Sequence, residues 1–277
     1  MARRITTILP DLSFEEALEI TKIHSVAGIL KNNSLVLERP FRSPHHTISG
    51  VGLIGGGRIP KPGEISLSHY GVLFLDELLE FKKSTLEVLR GPLEDKYVSI
   101  TRNNITLTYP CNFMLVASMN PCPCGYLGSK DKECNCTEIQ KKNYRARLSG
   151  PMLDRFDIQV QVNSIKYTDL SKKESETSNE IKERVNNSRK IQLNRYKNEN
   201  IYSNSELTPK LIKKYCSIDF DSEKILNMAF EKLKLSARAY MKIIKVARTI
   251  ADIENSENIK KEHIIEAIEY RSLDKNE

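Results

Sequence analysis

Apolar residues follow different patterns in the two parts of this 277-residue chain. In the first part they form short continuous runs, which are typical of the buried strands of a parallel sheet. These runs span residues 71–75, 113–118 and 156–162. From residue 207 to residue 270, apolar residues recur instead at helical spacing. The pattern therefore predicts an α/β domain over residues 1–163 and an all-helical domain over residues 164–277.

Local signals predict two further elements in the α/β part. Ser13 and Glu16 form an S-x-x-E capping box, which predicts a helix that continues to about residue 30. Apolar residues alternate on both sides of Asn103 and Asn104, and this pattern predicts a β-hairpin over residues 98–107.

Composition narrows the functional classes. Hydrophobic residues make up 39% of the chain and charged residues 29%, as in ordinary soluble globular proteins. No apolar stretch is long enough to span a bilayer, and the N-terminus lacks the pattern of a secretory signal. These features predict a cytoplasmic protein without a membrane partner.

The net charge of +7 favours acidic partners such as nucleic acid, but the excess is spread thinly. The first 163 residues contain 20 Lys and Arg against 17 Asp and Glu, and the remainder contains 23 against 19. Basic residues crowd one predicted loop, namely Lys130, Lys132, Lys141, Lys142, Arg145 and Arg147. Charge therefore permits DNA as a partner without requiring it.

Residues 175–198 are polar and highly charged, which predicts a solvent-exposed helix. Its arginines are Arg184, Arg189 and Arg195. We interpret them as a solvated face, with contact to DNA or to another subunit as the alternative hypothesis.

Polar side chains accompany the predicted strands in an order that suits phosphoryl transfer. Asp76 and Glu77 end the first run, where one carboxylate can hold Mg²⁺ and the next can polarise a water. Asn120 follows the second run and can position the same water. Arg147 and Arg155 precede the third run, where a guanidinium can meet phosphate. Each feature alone is weak, because many strands end in acidic turns, but together they predict an ATPase site.

Longer stretches of the sequence resemble one protein family. The matching stretches are "RPFRSPHHTIS", "GGGRIPKPGEISLSHYGVLFLDEL", "FMLVASMNPCPCGYLG", "RARLSGPMLDRFDI" and "LSARAYMKIIKVARTIAD". On these stretches, which extend from about Ala2 to Arg271, the chain is similar to AAA+ ATPases, specifically the magnesium-chelatase-like family of the ComM/YifB type. The resemblance implies an α/β AAA+ core, a parallel sheet with flanking helices that is incomplete at the N-terminus, followed by an all-helical C-terminal lid.

The resemblance also implies roles for individual residues. Asp76 matches the metal-binding residue of the Walker B pair, which holds Mg²⁺ with the nucleotide, and Glu77 matches the water-activating residue. Asn120 matches the sensor-1 position, and Arg155 matches the arginine finger that is offered to a neighbouring subunit. Arg238 matches the sensor-2 arginine, which reaches from the lid onto the nucleotide. ATP and Mg²⁺ are the implied cofactors, and assembly into a homo-oligomeric ring is implied because relatives form hexamers.

The sequence departs from this family at one point, because it contains no P-loop of the form G-x-x-x-x-G-K-[ST]. The glycines Gly55, Gly56 and Gly57 are followed by Arg58. The opening stretch, "MARRITTILP", resembles the segment that follows the P-loop in relatives. We therefore expect this chain to be the C-terminal part of a longer protein, either a truncated gene product or half of a split gene. It is expected to hydrolyse ATP poorly alone, since the P-loop backbone and its Lys hold the phosphates.

Four cysteines that follow Asn120 form a second candidate site. Cys122, Cys124, Cys134 and Cys136 are arranged as C-x-C, nine residues, then C-x-C. In a cytosolic chain this spacing favours metal ligands or free thiols over disulfides. Two hypotheses stay open, a tetrahedral Zn²⁺ site of four thiolates and a reduced, thiol-bearing loop.

The remaining cysteines and an adjacent histidine pair carry no comparable spacing. Cys111 and Cys216 are predicted to be buried thiols. His45 and His46 are predicted to make a polar loop contact, with DNA or a neighbouring subunit, rather than to hold a metal.

The resemblance implies an ATP-hydrolysing motor that acts on DNA in recombination or natural transformation, in the manner of a branch-migration helicase. Three alternatives stay open. The chain can belong to a motor subunit for metal insertion into a porphyrin, be a non-catalytic fragment that only assembles with subunits or DNA, or be a zinc and DNA binding module that needs no nucleotide.

Overall fold

The computed structural model of the protein describes residues 2–30, 35–102, 105–129, 132–162 and 176–271. The chain forms two compact units. The first consists of Met1–Thr7 and Asp11–Arg155, and the second of Ile8–Pro10 and Phe156–Glu277. The predicted domain boundary at residue 163 lies outside the described residues, so a division at that point stays a prediction.

Short strands and short helices alternate through the first unit. Its strands are β1 (Phe41–Arg42), β2 (Gly55–Gly56), β3 (Lys61–Pro62), β4 (Val72–Leu75), β5 (Tyr97–Arg102), β6 (Ile105–Pro110) and β7 (Met114–Ala117). Helix α1 (Ile5–Ile8) lies in this unit except for its last residue, which is assigned to the second unit. The other α-helices of the first unit are α2 (Phe14–Ala27), α3 (Gly50–Ile54), α4 (Glu64–Leu67), α5 (Lys83–Glu87), α6 (Arg90–Asp95), α7 (Glu138–Arg145) and α8 (Gly150–Leu153). The predicted capping box of α2 is confirmed, since Ser13 and Glu16 cap each other's backbone N–H groups.

A parallel sheet with the strand order β1-β4-β7 organises this unit. The central strand β4 is covered on both faces, and Val72, Leu73 and Leu75 are fully buried, which explains its continuous apolar run. Leu75 lies opposite Ala117 of β7. The strands predicted from the first two apolar runs are therefore confirmed, but the predicted burial holds only for β4. Strand β7 lies at the end of the strand order, and its residues are exposed or half-buried. The carboxyl ends of β4 and β7 meet at one edge of the sheet.

The predicted hairpin is also confirmed, as the antiparallel pair β5–β6. Val98 and Ile100 are buried while Ser99 and Thr101 are exposed, so the alternation in sequence corresponds to the two faces of the ribbon. Asn103 and Asn104, on which the hairpin prediction was centred, lie outside the described residues.

The third predicted strand, residues 156–162, is wrong. Within this segment the structure contains an isolated parallel bridge between Gln159 and Arg271 instead of a strand. The Arg271 guanidinium donates to the carbonyl of Phe156 at 2.7 Å, and the Gln159 N–H donates to the carbonyl of Tyr270 at 2.7 Å. The segment is thus tied to residues more than a hundred positions away, a contact that local apolar alternation cannot reveal.

The second unit is helical, as predicted. Its α-helices are α9 (Ser178–Arg195), α10 (Pro209–Tyr215), α11 (Phe220–Lys232), α12 (Ala237–Ile253) and α13 (Lys261–Glu269). The core is built on α12, which packs against α9 and α13 and buries Ile243, Ile244 and Ala247 on one face. None of the helices in the described part of the chain is long and apolar enough to cross a membrane.

Candidate functional site

Asp76 and Glu77 follow β4 directly and are exposed at the carboxyl edge of the parallel sheet. Ser118 follows β7 at the same edge, one residue beyond the partner of Leu75. Its hydroxyl donates a hydrogen bond to Oδ1 of Asp76. Parallel pairing of β4 and β7 therefore brings together an acid and a hydroxyl that are 42 positions apart in sequence.

The backbone after Asp76 is held by the same serine. The N–H of Glu77 lies 3.2 Å from Oδ1 of Asp76 and 3.3 Å from Oγ of Ser118, and the N–H of Leu78 donates to the Ser118 carbonyl at 2.8 Å. Ser118 is not among the site residues predicted from the sequence. The available signal was its position as the first polar residue after the second apolar run, the same position that Asp76 has after the first.

Glu77 adopts an unusual backbone conformation. Its φ of 53° and ψ of 52° lie in the left-handed region, which is unfavourable by about 1–2 kcal/mol for a residue with a Cβ. Strain of this kind tends to be retained at functional sites. The Glu77 side chain is 57% exposed, and its carboxylate lies 3.9 Å from Nδ1 of His46.

The histidine pair of the first loop reaches this edge of the sheet. The rings of His45 and His46 lie 4.0 Å apart, and His46 is edge-on to Phe81 at 6.4 Å. His46 therefore contacts the turn that carries Glu77. Contact of the pair with DNA or another subunit stays a prediction.

The chemistry of the strand-end residues fits Mg²⁺. Carboxylate oxygens are the hard ligands that this ion takes, commonly one or two of them together with waters and phosphate oxygens. Donors from Ser118 and Glu77 reach Oδ1 of Asp76, and within the described chain Oδ2 receives no hydrogen bond. Asp76 can hold a hydrated cation, and the exposed Glu77 carboxylate can accept a proton from a water beside it.

Asn120 is exposed in the segment that follows β7. A Cβ placed on Gly125 would lie 4.0 Å from the amide group of Asn120, so this side chain packs against the turn at Gly125. Asn120 thus lies between the strand end that carries Ser118 and the cysteines that follow it. Its predicted water-positioning role stays a prediction.

The two arginines of the sequence "RLSGPMLDRFD", Arg147 and Arg155, have different surroundings. Arg147 lies 3.1 Å from the carbonyl of Leu79 and 3.3 Å from the carboxylate of Glu80, on the turn that follows Glu77. Arg155 donates to Glu94 of α6 at 2.7 Å, and its side chain is only 8% exposed. Within this chain Arg155 is thus engaged by Glu94, and its role as an arginine finger stays a prediction.

Arg238 belongs to the second unit. It is exposed in the first turn of α12, where the side chain of Ser236 caps the helix by accepting from the N–H of Ala239. Its predicted sensor-2 role stays a prediction.

The four cysteines after Asn120 are brought together. The sulfur of Cys122 lies 3.4 Å from that of Cys124 and 3.6 Å from that of Cys134, and Cys124 lies 3.6 Å from Cys134. With Cys136, the four sulfurs all lie within 4.8 Å of one another. Cys122 is buried and the other three are partly buried, so the cluster is partly shielded from solvent.

Backbone N–H groups surround these sulfurs. The pKa of Cys124 is lowered to about 6, chiefly because the backbone N–H of Tyr126 donates to its sulfur. Burial raises the pKa of Cys136 to about 12. Outside the cluster, burial also raises the pKa of Cys111 to about 12 and that of Cys216 to about 11, and both are buried thiols as predicted.

Comparison with known proteins agrees with the fold. Residues 1–170 match the family model described as "Magnesium chelatase, subunit ChlI", and residues 175–271 match "Magnesium chelatase, subunit ChlI C-terminal". YifB of Salmonella typhimurium is 43% identical over 278 aligned residues, which are 99% of this chain and 54% of YifB. Competence protein ComM of Haemophilus influenzae is 41% identical over 275 residues, which are 99% of this chain and 53% of ComM.

A more distant relative is magnesium-chelatase subunit ChlI of Mesostigma viride, 20% identical over 166 residues, which are 58% of this chain and 40% of that protein. The chain spans about half the length of YifB and ComM. Because the two family models together match nearly all of its length, the resemblance inferred from the motifs is confirmed, and the chain belongs to the magnesium chelatase subunit ChlI family.

Proposed function

We propose that this chain is part of a Mg²⁺-dependent, ATP-hydrolysing AAA+ motor. It supplies the residues that hold the metal ion and activate the attacking water, together with the helical lid. The observation that carries the proposal is the arrangement at the sheet edge, where Asp76 is held by Ser118 and followed by the strained, exposed Glu77. An acid with open coordination capacity next to a second acid is what phosphoryl transfer to water requires.

Each residue has a defined task in this proposal. Asp76 holds Mg²⁺, which when bound neutralises charge on the phosphate oxygens. Glu77 accepts a proton from the attacking water, and Asn120 orients that water. Arg155 serves a neighbouring subunit after release from Glu94, and Arg238 contacts the nucleotide. Ser118 keeps the Asp76 carboxylate in one orientation, since partners of this kind set the geometry of metal ligands.

We propose the ATPase activity for the longer protein to which the relatives correspond. A P-loop is not found in residues 1–277, and the P-loop backbone and Lys hold the phosphates in enzymes of this kind. The protein assembles as a homo-oligomeric ring, in which Arg155 of one subunit completes the site of the next. Its compartment is the cytoplasm, where thiols such as the six unpaired cysteines remain reduced.

DNA is the substrate that we propose for this motor, with branch migration during recombination or natural transformation as the process. The name of the relative ComM, a competence protein, and the net charge of +7 support this choice. A second candidate is the motor subunit of a magnesium chelatase, which the family description and the ChlI relative favour. The third candidate is a non-catalytic fragment that only assembles with subunits or binds DNA.

The proposal is tested by fluorescent-ATP binding and ATP hydrolysis with Mg²⁺, using this chain and a form extended upstream to include a P-loop. The extended form is expected to bind and hydrolyse ATP. Glu77→Gln should lower kcat by about 10²- to 10⁴-fold, because the proton acceptor is lost, while ATP binding persists. Glu80→Gln, three residues further along the same turn, is the matched control. Equal activity of the two variants would contradict the assignment of Glu77.

The choice of DNA is tested separately by binding of a branched duplex at several salt concentrations. Replacing Lys141 and Lys142 with alanine should weaken binding and lower its salt dependence, because counterion release is reduced. Replacing Lys224 and Lys232 of α11 serves as the control. If neither pair affects DNA binding, the basic segment near α7 is not the contact surface. Porphyrin-dependent ATPase stimulation without DNA stimulation would favour the chelatase alternative.

A further inference from the structure

Within the described chain, four cysteine sulfurs form the one group of three or more Cys, His, Asp or Glu ligand atoms with the spacing of a metal site. They are Cys122, Cys124, Cys134 and Cys136. We infer that these four thiolates bind one structural Zn²⁺ ion. This zinc site depends on the geometry of the sulfurs and their surroundings and is therefore independent of the proposed ATPase activity.

The sulfur separations match a tetrahedron around a single ion. A Zn–S bond of about 2.3 Å places neighbouring sulfurs of a regular tetrahedron about 3.8 Å apart. The distances of 3.4, 3.6 and 3.6 Å among Cys122, Cys124 and Cys134 are close to this value. A disulfide requires about 2.0 Å, so the four thiols are arranged around a common centre and not as two bonded pairs.

The groups around the sulfurs are of the kind that stabilises metal-bound thiolates. Backbone N–H groups donate to Cys124 from Tyr126 and to Cys134 from Cys136. Such donors fix the orientation of metal ligands. The ammonium of Lys141 lies close enough to Cys134 and Cys136 for their charges to interact, and it is also bonded to Glu138 at 2.8 Å. A cation here offsets the net negative charge of a zinc ion with four thiolates.

The donor set and the spacing together favour zinc. Four thiolates in tetrahedral geometry select zinc or iron–sulfur centres. A polynuclear iron–sulfur cluster inserts several atoms between the cysteine sulfurs and therefore needs wider spacing than is observed. A closed four-cysteine set without an open coordination position is typical of structural zinc.

The position of the cluster indicates what the ion does. The N–H of Gly125 donates to the carbonyl of Cys122 at 3.0 Å, and Gly125 adopts a φ of +80° that favours glycine. The same turn packs against the side chain of Asn120. Zinc binding therefore fixes the fold of the loop that adjoins Asn120, in place of a hydrophobic core that so short a segment cannot form.

Metal analysis of the complete chain tests the inference. The protein is purified under reducing conditions without chelators, supplied with Zn²⁺, desalted and analysed by mass spectrometry for zinc and iron. About one zinc per chain is expected, as for other four-cysteine structural sites. Cys124→Ser and Cys134→Ser should each lose most of this zinc, and Cys216→Ser, which removes a buried thiol outside the cluster, should retain it.

A second measurement separates a true site from adventitious metal or misfolded variants. Co²⁺ substituted into the unaltered chain should give the visible absorption of a tetrahedral thiolate complex, and added Zn²⁺ should abolish it. Amide hydrogen exchange over residues 120–136 should slow on zinc binding, while exchange in α12 should not change. Absence of stoichiometric zinc, iron in its place, or equal zinc in Cys134→Ser and Cys216→Ser would overturn the inference.

Discussion

The carboxylates of Asp76 and Asp252 have opposite surroundings. Asp76, at the end of β4, is exposed and receives hydrogen bonds on one oxygen within the described chain. Asp252, in α12, is 1% exposed and both of its oxygens are occupied. The guanidinium groups of Arg195 and Arg248 and the amide of Asn204 donate to it. The first carboxylate has capacity left for a ligand, and the second has none.

The surroundings of an acid distinguish a structural role from a functional one in this chain. A buried charge remains ionised only when partners replace its lost hydration, so a saturated acid such as Asp252 is a structural element. Asn204 shows the same saturation, since its side-chain oxygen accepts from the hydroxyl of Tyr196 at 2.7 Å and its side-chain amide donates to Oδ2 of Asp252 at 2.8 Å. An exposed acid such as Asp76, with hydrogen bonds on one oxygen in the described chain, contributes little to stability and has capacity for a ligand.

The largest change that we expect is a loss of stability when Asp252 is replaced. Asp252→Ala should lower the free energy of unfolding by about 3–5 kcal/mol, because Arg195 and Arg248 would be left as buried charges without their partner. The measurement is urea denaturation of the whole chain followed by circular dichroism. Asp76→Ala is the control and should change stability by less than about 0.5 kcal/mol. Similar losses for both variants would mean that burial does not separate the two acids.

A smaller effect is expected at the serine that holds Asp76. In a form extended to include a P-loop, Ser118→Ala should raise the Mg²⁺ concentration needed for half-maximal ATP hydrolysis by about 10- to 100-fold, because the carboxylate of Asp76, which we propose as the Mg²⁺ ligand, loses its fixed orientation. Titration of activity with Mg²⁺ measures this shift. Ser99→Ala, on the exposed face of the hairpin, should leave the Mg²⁺ dependence unchanged. An unchanged Mg²⁺ dependence in Ser118→Ala would show that the serine does not position the metal ligand.

The stability of the α/β unit should fall in acid because of His69, which is 2% exposed. Its Nδ1 accepts from the N–H of Asn112 at 2.9 Å and its Nε2 lies 3.0 Å from Glu19, so protonation would break the first of these bonds. Burial is the main cause that lowers the pKa of His69, and burial likewise lowers the pKa of His24.

Below about pH 6.5 the unfolded chain therefore binds protons that the folded chain does not. Stability should be fully present above this pH and should fall as the pH drops toward the folded pKa, by up to about 1.4 kcal/mol per pH unit for each histidine. Urea midpoints between pH 7 and pH 5 measure the slope. His69→Gln should reduce the slope, and His45→Gln, at an exposed histidine, should not. If His69→Gln left the slope unchanged, the loss of stability in acid would have to arise from other groups.

The smallest expected effect concerns the backbone of Glu77. Asparagine tolerates left-handed backbone better than glutamine, so Glu77→Asn should be more stable than Glu77→Gln by up to about 1 kcal/mol. Urea denaturation compares the two variants. The same pair of substitutions at Glu80, where φ is not positive, should show no such preference for asparagine. The absence of a difference at Glu77 would mean that the turn relaxes when its carboxylate is removed.

Features predicted correctly from the sequence are those encoded by neighbouring residues. Strand β4, strand β7 and the hairpin follow from the spacing of apolar residues, and the acids at Asp76 and Glu77 follow from their position directly after a buried run. Features missed were contacts between distant segments. Arg195, interpreted as part of a solvated face, has a side chain that is only 16% exposed and contacts Asp252, 57 positions away.

The class of most elements, the two strand-end acids, the cysteine spacing and membership of the family follow from the sequence alone, whereas the class of residues 156–162 does not. Which of these groups meet depends on the tertiary structure. It joined Ser118 to Asp76, tied residue 159 to residue 271, and gathered four sulfurs within 4.8 Å. The reason is the distance along the chain over which residues interact. Periodicity and capping depend on residues within one or two turns of one another, whereas hydrogen-bond partners at a sheet edge or in a buried network depend on how distant segments pack.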